Sequence, residues 1–264
     1  MRNATNRMNP NDQNNSSQGP DMGRVYDEFA DAFRKADELP TWKYVGKPGM
    51  ENLLRPYLRP GMTFLDFGSA SARVEVGVLL PGGVRPGDIT GVEISPDQVA
   101  MAQARIPEAT FVVGNVADTS LLADRDGTYD VVFSHMVFEH LDDAQLADAC
   151  RNAYRLLKAG GTFAFIVTHP DKMTDINGNL VKEYGAFETT APWGGVLHNY
   201  RRSVDETIRT KRDAGFDIEI TEELKFPQQA PAGLDPRDQA IFAEHAQKYS
   251  RYPAIRLAMR SKKK

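Results

Sequence analysis

The chain has 264 residues, which suits one globular domain better than two because single hydrophobic cores stop growing near roughly 250 to 300 residues. Its 36 acidic residues outnumber the 32 basic ones, and the net charge of -4 gives no reason to expect nucleic acid or an anionic membrane as a partner. A single cysteine forms neither an internal disulfide nor a thiolate metal cluster, which excludes disulfide-rich secreted scaffolds, zinc fingers and iron–sulfur proteins and favours the cytoplasm. No apolar run approaches the roughly 18 residues of a membrane-spanning helix. We expect no metal site, and the composition leaves the oligomeric state open.

The beginning of the chain differs in composition from the rest. Residues 1–22 are rich in Asn, Ser, Gln, Gly and Pro and contain almost nothing to bury in a core. We predict a disordered tail over 1–22 and a single domain over 23–264. From Val25 to Ala36, apolar residues recur at three- and four-residue steps, which predicts an amphipathic helix that caps the domain at its N-terminal end.

Short apolar runs bounded by turn residues then alternate with segments of helical character. This alternation predicts an α/β fold, a Rossmann-like, doubly wound, mostly parallel seven-stranded sheet with helices on both faces. Such a sheet binds its ligand at the carboxyl ends of the strands. The predicted strands lie at 63–67, 88–94, 110–113, 129–134, 162–168, 216–224 and 254–259, and the predicted helices at 49–58, 142–157, 203–214, 235–249 and directly after Ser95.

The clearest helix start follows the second predicted strand. Ser95 offers an N-cap hydroxyl, Pro96 stands at the first helical position, and Gln98 occupies the third position of a capping box. We therefore expect a helix to begin at this point.

The segment 168–202 shows no regular period and mixes aromatic residues with Gly, Pro and Asn. An irregular stretch of this length over a sheet edge is usually functional. We predict that 168–202 is an inserted lid over the ligand face of the sheet.

The first predicted strand ends in a loop of small residues, from Gly68 to Ala72, which leads into a helix. Small residues let the backbone approach a ligand, and a helix N-terminus offers unpaired amide donors. The second predicted strand ends at Glu93, whose carboxylate can accept two hydrogen bonds from a ribose diol. Together the two features indicate a nucleoside-containing ligand.

Five segments in chain order carry a family pattern, namely Asp66 with Gly68, Glu93, Gly114-Asn115-Val116, Tyr129 to Ser134 running into His140, and Leu157 to Gly161. Together they resemble the motifs of the class I S-adenosylmethionine-dependent methyltransferases. Within that family the chain is similar to the small-molecule branch of the ubiquinone and menaquinone biosynthesis methyltransferases. The resemblance covers nearly the whole chain after the predicted tail.

The resemblance implies that S-adenosylmethionine is the cofactor, and it gives each matched residue a role. Glu93 would hold the ribose hydroxyls, and Asn115 and Val116 would contact the adenine. Ser134 and His135 would lie beside the sulfonium. The implied cofactor-binding residues are Asp66, Gly68, Ala70, Glu93, Asn115, Val116, Ser134 and His135.

Two alanines depart from the family pattern, because Ala70 and Ala72 stand where further glycines are usual. An alanine forced to positive φ costs on the order of 1 kcal/mol, and its methyl group can crowd the methionine part of the ligand. We therefore expect reduced affinity for the cofactor. Tyr26 and Phe33 on the first predicted helix either close over the cofactor or belong to the core, and their spacing leaves both open.

Histidine and aromatic residues are the candidates for the acceptor side. A hydroxyl or carbon acceptor needs a base, and histidine titrates near neutral pH. His140 and His198 resemble family histidines and are the candidate catalytic residues, although each could instead hold backbone or substrate in place. We expect the acceptor pocket to be lined by His169, Phe187, Trp193 and Tyr200, whose aromatic members could alternatively anchor the long loop.

The predicted function is transfer of a methyl group from S-adenosylmethionine to a small organic acceptor, by direct SN2 displacement and most simply at oxygen. Nitrogen and carbon acceptors stay open, whereas arsenic is disfavoured because one cysteine cannot form a thiolate set. Two other classes are alternatives. A non-catalytic S-adenosylmethionine-binding accessory protein is suggested by the two alanines, and a nicotinamide-dependent oxidoreductase is disfavoured because the full G-x-G-x-x-G pattern is missing.

Overall fold

The computed structural model describes residues 22–29 and 38–264. Seven of its strands form one sheet in the order β3-β2-β1-β4-β5-β9-β8, and β6 and β7 form a separate hairpin. The first five strands of the sheet are parallel, while β9 runs antiparallel to both of its neighbours. The predicted mostly parallel seven-stranded sheet is confirmed. The strands are β1 Phe64–Phe67, β2 Ile89–Glu93, β3 Thr110–Val113, β4 Tyr129–His135, β5 Leu157–Thr168, β6 Gly185–Thr190, β7 Val196–Arg201, β8 Phe216–Leu224 and β9 Arg256–Lys263.

The described residues form six α-helices, which pack around the sheet. The one after β2 begins where the sequence predicts it, since the Ser95 hydroxyl accepts from the Gln98 amide at 3.1 Å. Among the described residues, every helix is too short or too polar to cross a membrane. Two π-helical segments, Trp42–Gly46 and Glu75–Leu79, flank the ligand end of the sheet. The α-helices are α1 Met22–Glu28, α2 Lys47–Leu54, α3 Pro96–Arg105, α4 Asp143–Leu156, α5 Val204–Asp213 and α6 Pro236–Tyr249.

The structure differs from the sequence prediction at several points, among them the last strand, which runs to Lys263 instead of ending at 259, and the predicted helix 49–58, which ends at Leu54. The segment 168–202 contains the β6–β7 hairpin, whose strands pair from Gly185 with Arg201 to Thr190 with Val196. Strand β5 begins at Leu157 instead of 162, because Leu157 pairs with Tyr129 across an irregularity in the ladder. Met22, placed in the predicted tail, is the first residue of α1. The rest of that tail, and residues 30–37 of the first predicted helix with Phe33, lie outside the described residues.

Both faces of the sheet are buried, which is the reason its strands read as continuous apolar runs. In β4, Val132 packs into one core cluster, beneath α4, whereas Val131 and Phe133 pack into the other, beneath α2. The middle of the sheet is therefore rigid, and only the strand ends are available to a ligand.

One cation lies inside this core. Lys211 of α5 is 1% exposed, and its ammonium lies 4.7 Å from the ring centre of Phe163 and 4.3 Å from that of Phe165. Its Nζ has no hydrogen-bond partner among the described residues. Burial lowers the pKa of Lys211 to about 7. The two aromatic rings therefore compensate only part of the lost hydration.

We expect Lys211→Met to stabilise the protein by about 1 to 3 kcal/mol at pH 6, because it replaces a buried ammonium by an apolar side chain of similar length. Between pH 7 and about 10, unfolded lysine keeps its proton while folded Lys211 has lost it, so the wild type gains stability as the pH rises. The advantage of the variant should therefore shrink at pH 9. Urea unfolding at both pH values measures it, with the exposed Lys182→Met as control. An equal gain at both pH values would contradict the assignment.

The loop after β1 takes the strained backbone that the sequence predicts. Gly68, Ala70 and Ala72 have φ values of 86°, 45° and 63°. Only glycine adopts this region without strain, and the methyl group of Ala72 is in addition packed into the core.

Replacing Ala70 by glycine should raise the free energy of unfolding by up to about 1 kcal/mol, because relief of the left-handed strain exceeds the added entropy of the unfolded chain. The matched change Ala186→Gly, on the exposed strand β6, should instead destabilise the protein. Thermal unfolding of both variants is the measurement. A lower melting temperature for the Ala70 variant would show that this strain is compensated elsewhere.

Candidate active site

The loop after β1 is held to the end of β2 by one carboxylate. Glu93 is 7% exposed, and its Oε2 accepts from the Ala70 amide at 3.0 Å while its Oε1 accepts from the Ser95 amide at 3.0 Å. Burial raises the pKa of Glu93, and these backbone donors act in the opposite direction. Each carboxylate oxygen keeps a lone pair for a ligand.

A cavity of about 560 Å³ opens above the carboxyl ends of the parallel strands. Six of the eight predicted cofactor residues line it. The other two lie behind it, since Asp66 is 1% exposed and the Ser134 hydroxyl donates to the Phe67 carbonyl at 2.7 Å. The described lining contains two carboxylates, Glu93 and Asp142, and neither lysine nor arginine. The six lining residues are Gly68, Ala70, Glu93, Asn115, Val116 and His135.

Asn152 supports the side of this cavity formed by Val116 and was missed by the sequence analysis. Its Nδ2 donates to the carbonyls of Val116 at 2.9 Å and of Asp118 at 2.7 Å. Asn115 is also constrained, because its Oδ1 accepts from the Ala117 amide at 2.9 Å. The available signal was a polar residue on the otherwise apolar face of α4.

A second missed residue, Glu75, lies against Asp66 behind the cavity. Both side chains are at most 1% exposed. Burial, followed by repulsion from Glu75, raises the pKa of Asp66 well above its usual range. Burial likewise raises the pKa of Glu75. Both carboxyl groups are therefore harder to ionise than exposed ones, and Asp66 belongs to the support of the loop.

The end of β4 forms the inner wall of the cavity. His135 is packed edge-on against Trp42, with ring centres 5.0 Å apart, and its Nε2 has no hydrogen-bond partner among the described residues. Burial, with the charges of Arg73 and Arg256, holds the pKa of His135 well below its usual range, so the ring is neutral. Met136 follows with a φ of 64°, a strained backbone of the kind found at functional sites.

His140 connects three segments that are distant in sequence. Its Nδ1 lies 3.2 Å from the carbonyl oxygen of His198, and its Nε2 lies 3.1 Å from the Tyr26 hydroxyl. A carbonyl oxygen only accepts, so Nδ1 carries the proton and Nε2 accepts from Tyr26. Burial, and then the charges of Glu93 and Glu139, raise the pKa of Tyr26. The helix α1 is also held by Asp27, which accepts from the Ser95 hydroxyl at 2.5 Å.

A smaller cavity of about 200 Å³ lies on the other side of this wall. Among the predicted acceptor residues, Phe187 and Trp193 line the smaller cavity, whereas Tyr200 lines the larger one. His198 also lines only the larger cavity. His169 lines neither of them, because it is 2% exposed and its Nδ1 accepts from the Asp171 amide at 3.2 Å. Of the residues that the structure describes, four line both cavities, namely Tyr26, His135, Met136 and His140.

The larger cavity fits S-adenosylmethionine by shape and by charge. At Gly68 a Cβ atom would lie 2.2 Å from the Val137 side chain, so only glycine lets the backbone line the cavity there. The free lone pairs of Glu93 suit a ribose diol. A described lining with carboxylates and without cations suits a positively charged sulfonium.

Comparisons with known proteins relate part of the chain to methyltransferases. Residues 65–165 match the family described as a methyltransferase domain. The chain is 28% identical over 144 residues to an uncharacterised methyltransferase of Synechocystis, across 54% of this chain and 63% of that protein. It is 32% identical over 129 residues to an arsenite methyltransferase of Aquipseudomonas alcaligenes, across 46% of this chain and 36% of that protein. The chain thus spans less than two thirds of either curated relative.

The fold agrees with a solved structure as well. An S-adenosylmethionine-dependent methyltransferase from Mesorhizobium loti has a TM-score of 0.59 and 17% identity, and the match covers 86% of this chain and 99% of that one. The segment matched by the family runs from β1 into β5 and contains the loop, Glu93 and the wall of the cavity. Residues 65–165 therefore resemble a methyltransferase domain, and the fold of the chain is that of an S-adenosylmethionine-dependent methyltransferase.

Proposed function

We propose that this protein transfers a methyl group from S-adenosylmethionine to a small organic acceptor, with oxygen as the acceptor atom. One observation carries the proposal. Two cavities share the four-residue wall of Tyr26, His135, Met136 and His140, so a group bound in one cavity meets a group bound in the other. Transfer between two small molecules requires this arrangement, because reaction depends on close and oriented approach.

The larger cavity is proposed as the cofactor site. Glu93 would hold the ribose hydroxyls, and Asn115 and Val116 would contact the adenine. Gly68, Ala70 and His135 would line the methionine end. When bound there, S-adenosylmethionine supplies an electrophilic methyl group for direct displacement. Neutral His135 adds no positive charge beside the sulfonium.

His140 is proposed as the base. A hydroxyl acceptor must lose a proton during methylation, and the unprotonated Nε2 of His140 lies in the wall between the cavities, where the acceptor hydroxyl would replace the Tyr26 hydroxyl as its hydrogen-bond donor. The hydrogen bond from Nδ1 to the His198 carbonyl fixes this tautomer. The backbone carbonyl of His198 positions His140. The ring of His198 lines only the proposed cofactor cavity and is the second candidate base. A base in this position favours a hydroxyl acceptor over an amine, because a neutral amine can accept a methyl group without first giving a proton to a base.

The segment 168–202 is proposed as the lid of the acceptor site, within one domain over 23–264. Its hairpin contributes Phe187 and Trp193 to the smaller cavity. Arg201 fixes the base of the hairpin, since its guanidinium donates to the Pro170 carbonyl at 3.1 Å and the Lys182 carbonyl at 2.9 Å. The hairpin can thus cover the acceptor while its base stays in place.

Arsenic is not the proposed acceptor, despite the relative that acts on arsenite. The only cysteine in the sequence, Cys150, is 1% exposed within the core, and burial raises its pKa to about 12. A thiol in that state neither reaches nor binds arsenic, since the thiolate is the ligand. Similarity to the ubiquinone and menaquinone branch stays a prediction.

Glu93→Gln should weaken binding of S-adenosylmethionine and S-adenosylhomocysteine by roughly 10- to 100-fold. The carboxamide offers one oxygen where the carboxylate offers two, and a hydrogen bond to a charged group contributes about 1.5 to 3 kcal/mol. Calorimetric titration is the measurement, with NAD as the competing ligand and the exposed Glu51→Gln as the matched control. Binding of NAD alone to the wild type, or unchanged affinity in the Glu93 variant, would overturn the cofactor assignment.

His140→Gln should lower kcat by about 100-fold or more, because a positioned base contributes at least that factor, while cofactor affinity changes little. Release of S-adenosylhomocysteine reports turnover on a panel of hydroxyl, amine and carbon acceptors. Tyr26→Phe should lower kcat less, since it leaves the Nε2 lone pair in place. If His198→Ala lost more activity than His140→Gln, the base would be His198. Cofactor binding without turnover on any acceptor would favour the accessory protein.

A further inference from the structure

The smaller cavity has an unbalanced charge. Two cationic side chains that form no ion pair with a described carboxylate, Lys172 and Arg256, line it, against the single carboxylate of Glu139 among the described lining residues. The larger cavity on the other side of the wall has the opposite character, with carboxylates and no lysine or arginine among its described lining. Charges in a poorly hydrated site need partners. The excess of cations therefore indicates that the ligand of the smaller cavity is negatively charged.

Arg256, the first residue of β9, is the best placed of these cations. It is 9% exposed, and its Nη1 donates to the Ile255 carbonyl at 3.0 Å. Its Nε has no hydrogen-bond partner, and no carboxylate of the described residues lies within ion-pair distance of the guanidinium. A buried guanidinium with unused donors is suited to bind an oxyanion.

Glu139 does not neutralise this group. Its Oε1 accepts from the Thr168 hydroxyl at 3.1 Å and the Thr168 amide at 3.4 Å, and it is 3% exposed. That carboxylate is therefore engaged with the end of β5. Its influence on Arg256 is exerted through space and not by a direct contact.

Lys172 adds a second cation to the same end of the cavity. Its ammonium lies 5.8 Å from the centre of the Tyr249 ring and forms no ion pair with a described carboxylate. Burial, followed by the charges of Arg256 and Lys248, lowers the pKa of Lys172 to about 7. The ammonium is therefore destabilised by its present surroundings, and a bound anion would stabilise it.

The backbone of Arg256 lies at a distance from the wall between the cavities. Arg256 pairs with Thr168 on β5, two residues beyond Ile166, which itself pairs with His135 of the wall. The path from Arg256 to His135 crosses two strand spacings and runs two residues along the strand. Their Cα atoms therefore lie roughly 10 to 12 Å apart. The aromatic side chains of Phe187, Trp193 and Tyr249 line the same cavity.

We infer that the acceptor is a small hydroxylated carboxylic acid with an apolar or aromatic body, whose carboxylate is bound by Arg256 and Lys172 at the end of the cavity far from the methyl group. The inference rests on the proposed function, because it names the substrate class of that same site. The carboxylate fixes the direction of the substrate, and the hydroxyl then faces His140. Arg256 and Lys172 are thus specificity-determining residues.

The test uses acid and amide pairs as probes, 4-hydroxyphenylacetate and 4-hydroxycinnamate with their carboxamides. Binding is measured by calorimetry and by ligand-observed NMR, with and without saturating S-adenosylhomocysteine. For at least one pair, the wild type should bind the acid tenfold or more tightly than the amide. Arg256→Gln and Lys172→Gln should each reduce this preference to about twofold. Arg251→Gln is the matched control, because Arg251 is exposed and close in sequence but does not line the cavity among the described residues.

Each outcome either supports or overturns the inference that the acceptor is a carboxylic acid. If no acid binds the wild type more tightly than its amide, or if the preference survives in both variants, the inference is wrong. Lys172 is less buried than Arg256 and lies in the short 3-10 segment Pro170–Lys172, so its variant keeps the test valid if Arg256→Gln does not fold, which circular dichroism shows. Loss of the preference with unchanged binding of S-adenosylhomocysteine separates acceptor recognition from cofactor binding. A wild type that prefers the acids but does not bind S-adenosylhomocysteine would retain the anion site and overturn the methyltransferase function.

Discussion

The carboxylate of Glu93 holds together the two loops on which the larger cavity is built. It accepts from Ala70 in the loop after β1 and from Ser95 at the start of α3, so the ends of the first two strands share one anchor. Ser95 then accepts from the Gln98 amide and donates to Asp27 of α1, which extends the same network to the N-terminal helix. The strained left-handed backbone at Ala70 is tolerated because this network leaves the loop no other arrangement.

Charge is distributed around this anchor so that the two cavities differ in what they attract. Among the described residues, the charged side chains that line the larger cavity are carboxylates. Those that line the smaller cavity are three cations and one carboxylate. His135 stands between them as a neutral ring, because burial and nearby guanidinium groups hold its pKa low. In a site of low dielectric, such a separation keeps a positive and a negative ligand on their own sides while their reacting ends meet at the wall. Substrate orientation would then require no movement of the sheet.

The sequence predicts features that depend on neighbouring residues. It does not predict contacts between residues that are distant in the chain. The cap at Ser95 and the position of Glu93 at a strand end follow from short patterns, and the structure has both. The contact between Tyr26 and His140 joins residues 114 positions apart, which no periodicity reports. Arg256 and Lys172 read as ordinary basic residues until the antiparallel β9 and the turn after β5 bring them to one cavity. The β6–β7 hairpin was missed because β6 is largely exposed and β7 buries the polar residues Asn199 and Arg201, so neither strand shows an apolar alternation in its sequence.

The hairpin has its own backbone ladder, separate from that of the seven-stranded sheet. Its strands depend on each other for their hydrogen bonds, so insertions or substitutions at its turn leave the pairing of the central strands intact. The turn of the hairpin, which covers the smaller cavity, is therefore free to diverge at a different rate from strand β7, which also lines the larger one. A lineage of such proteins could change the apolar body of its acceptor by altering residues of this turn, while Arg256, Lys172 and the proposed cofactor site stayed under an unchanged constraint.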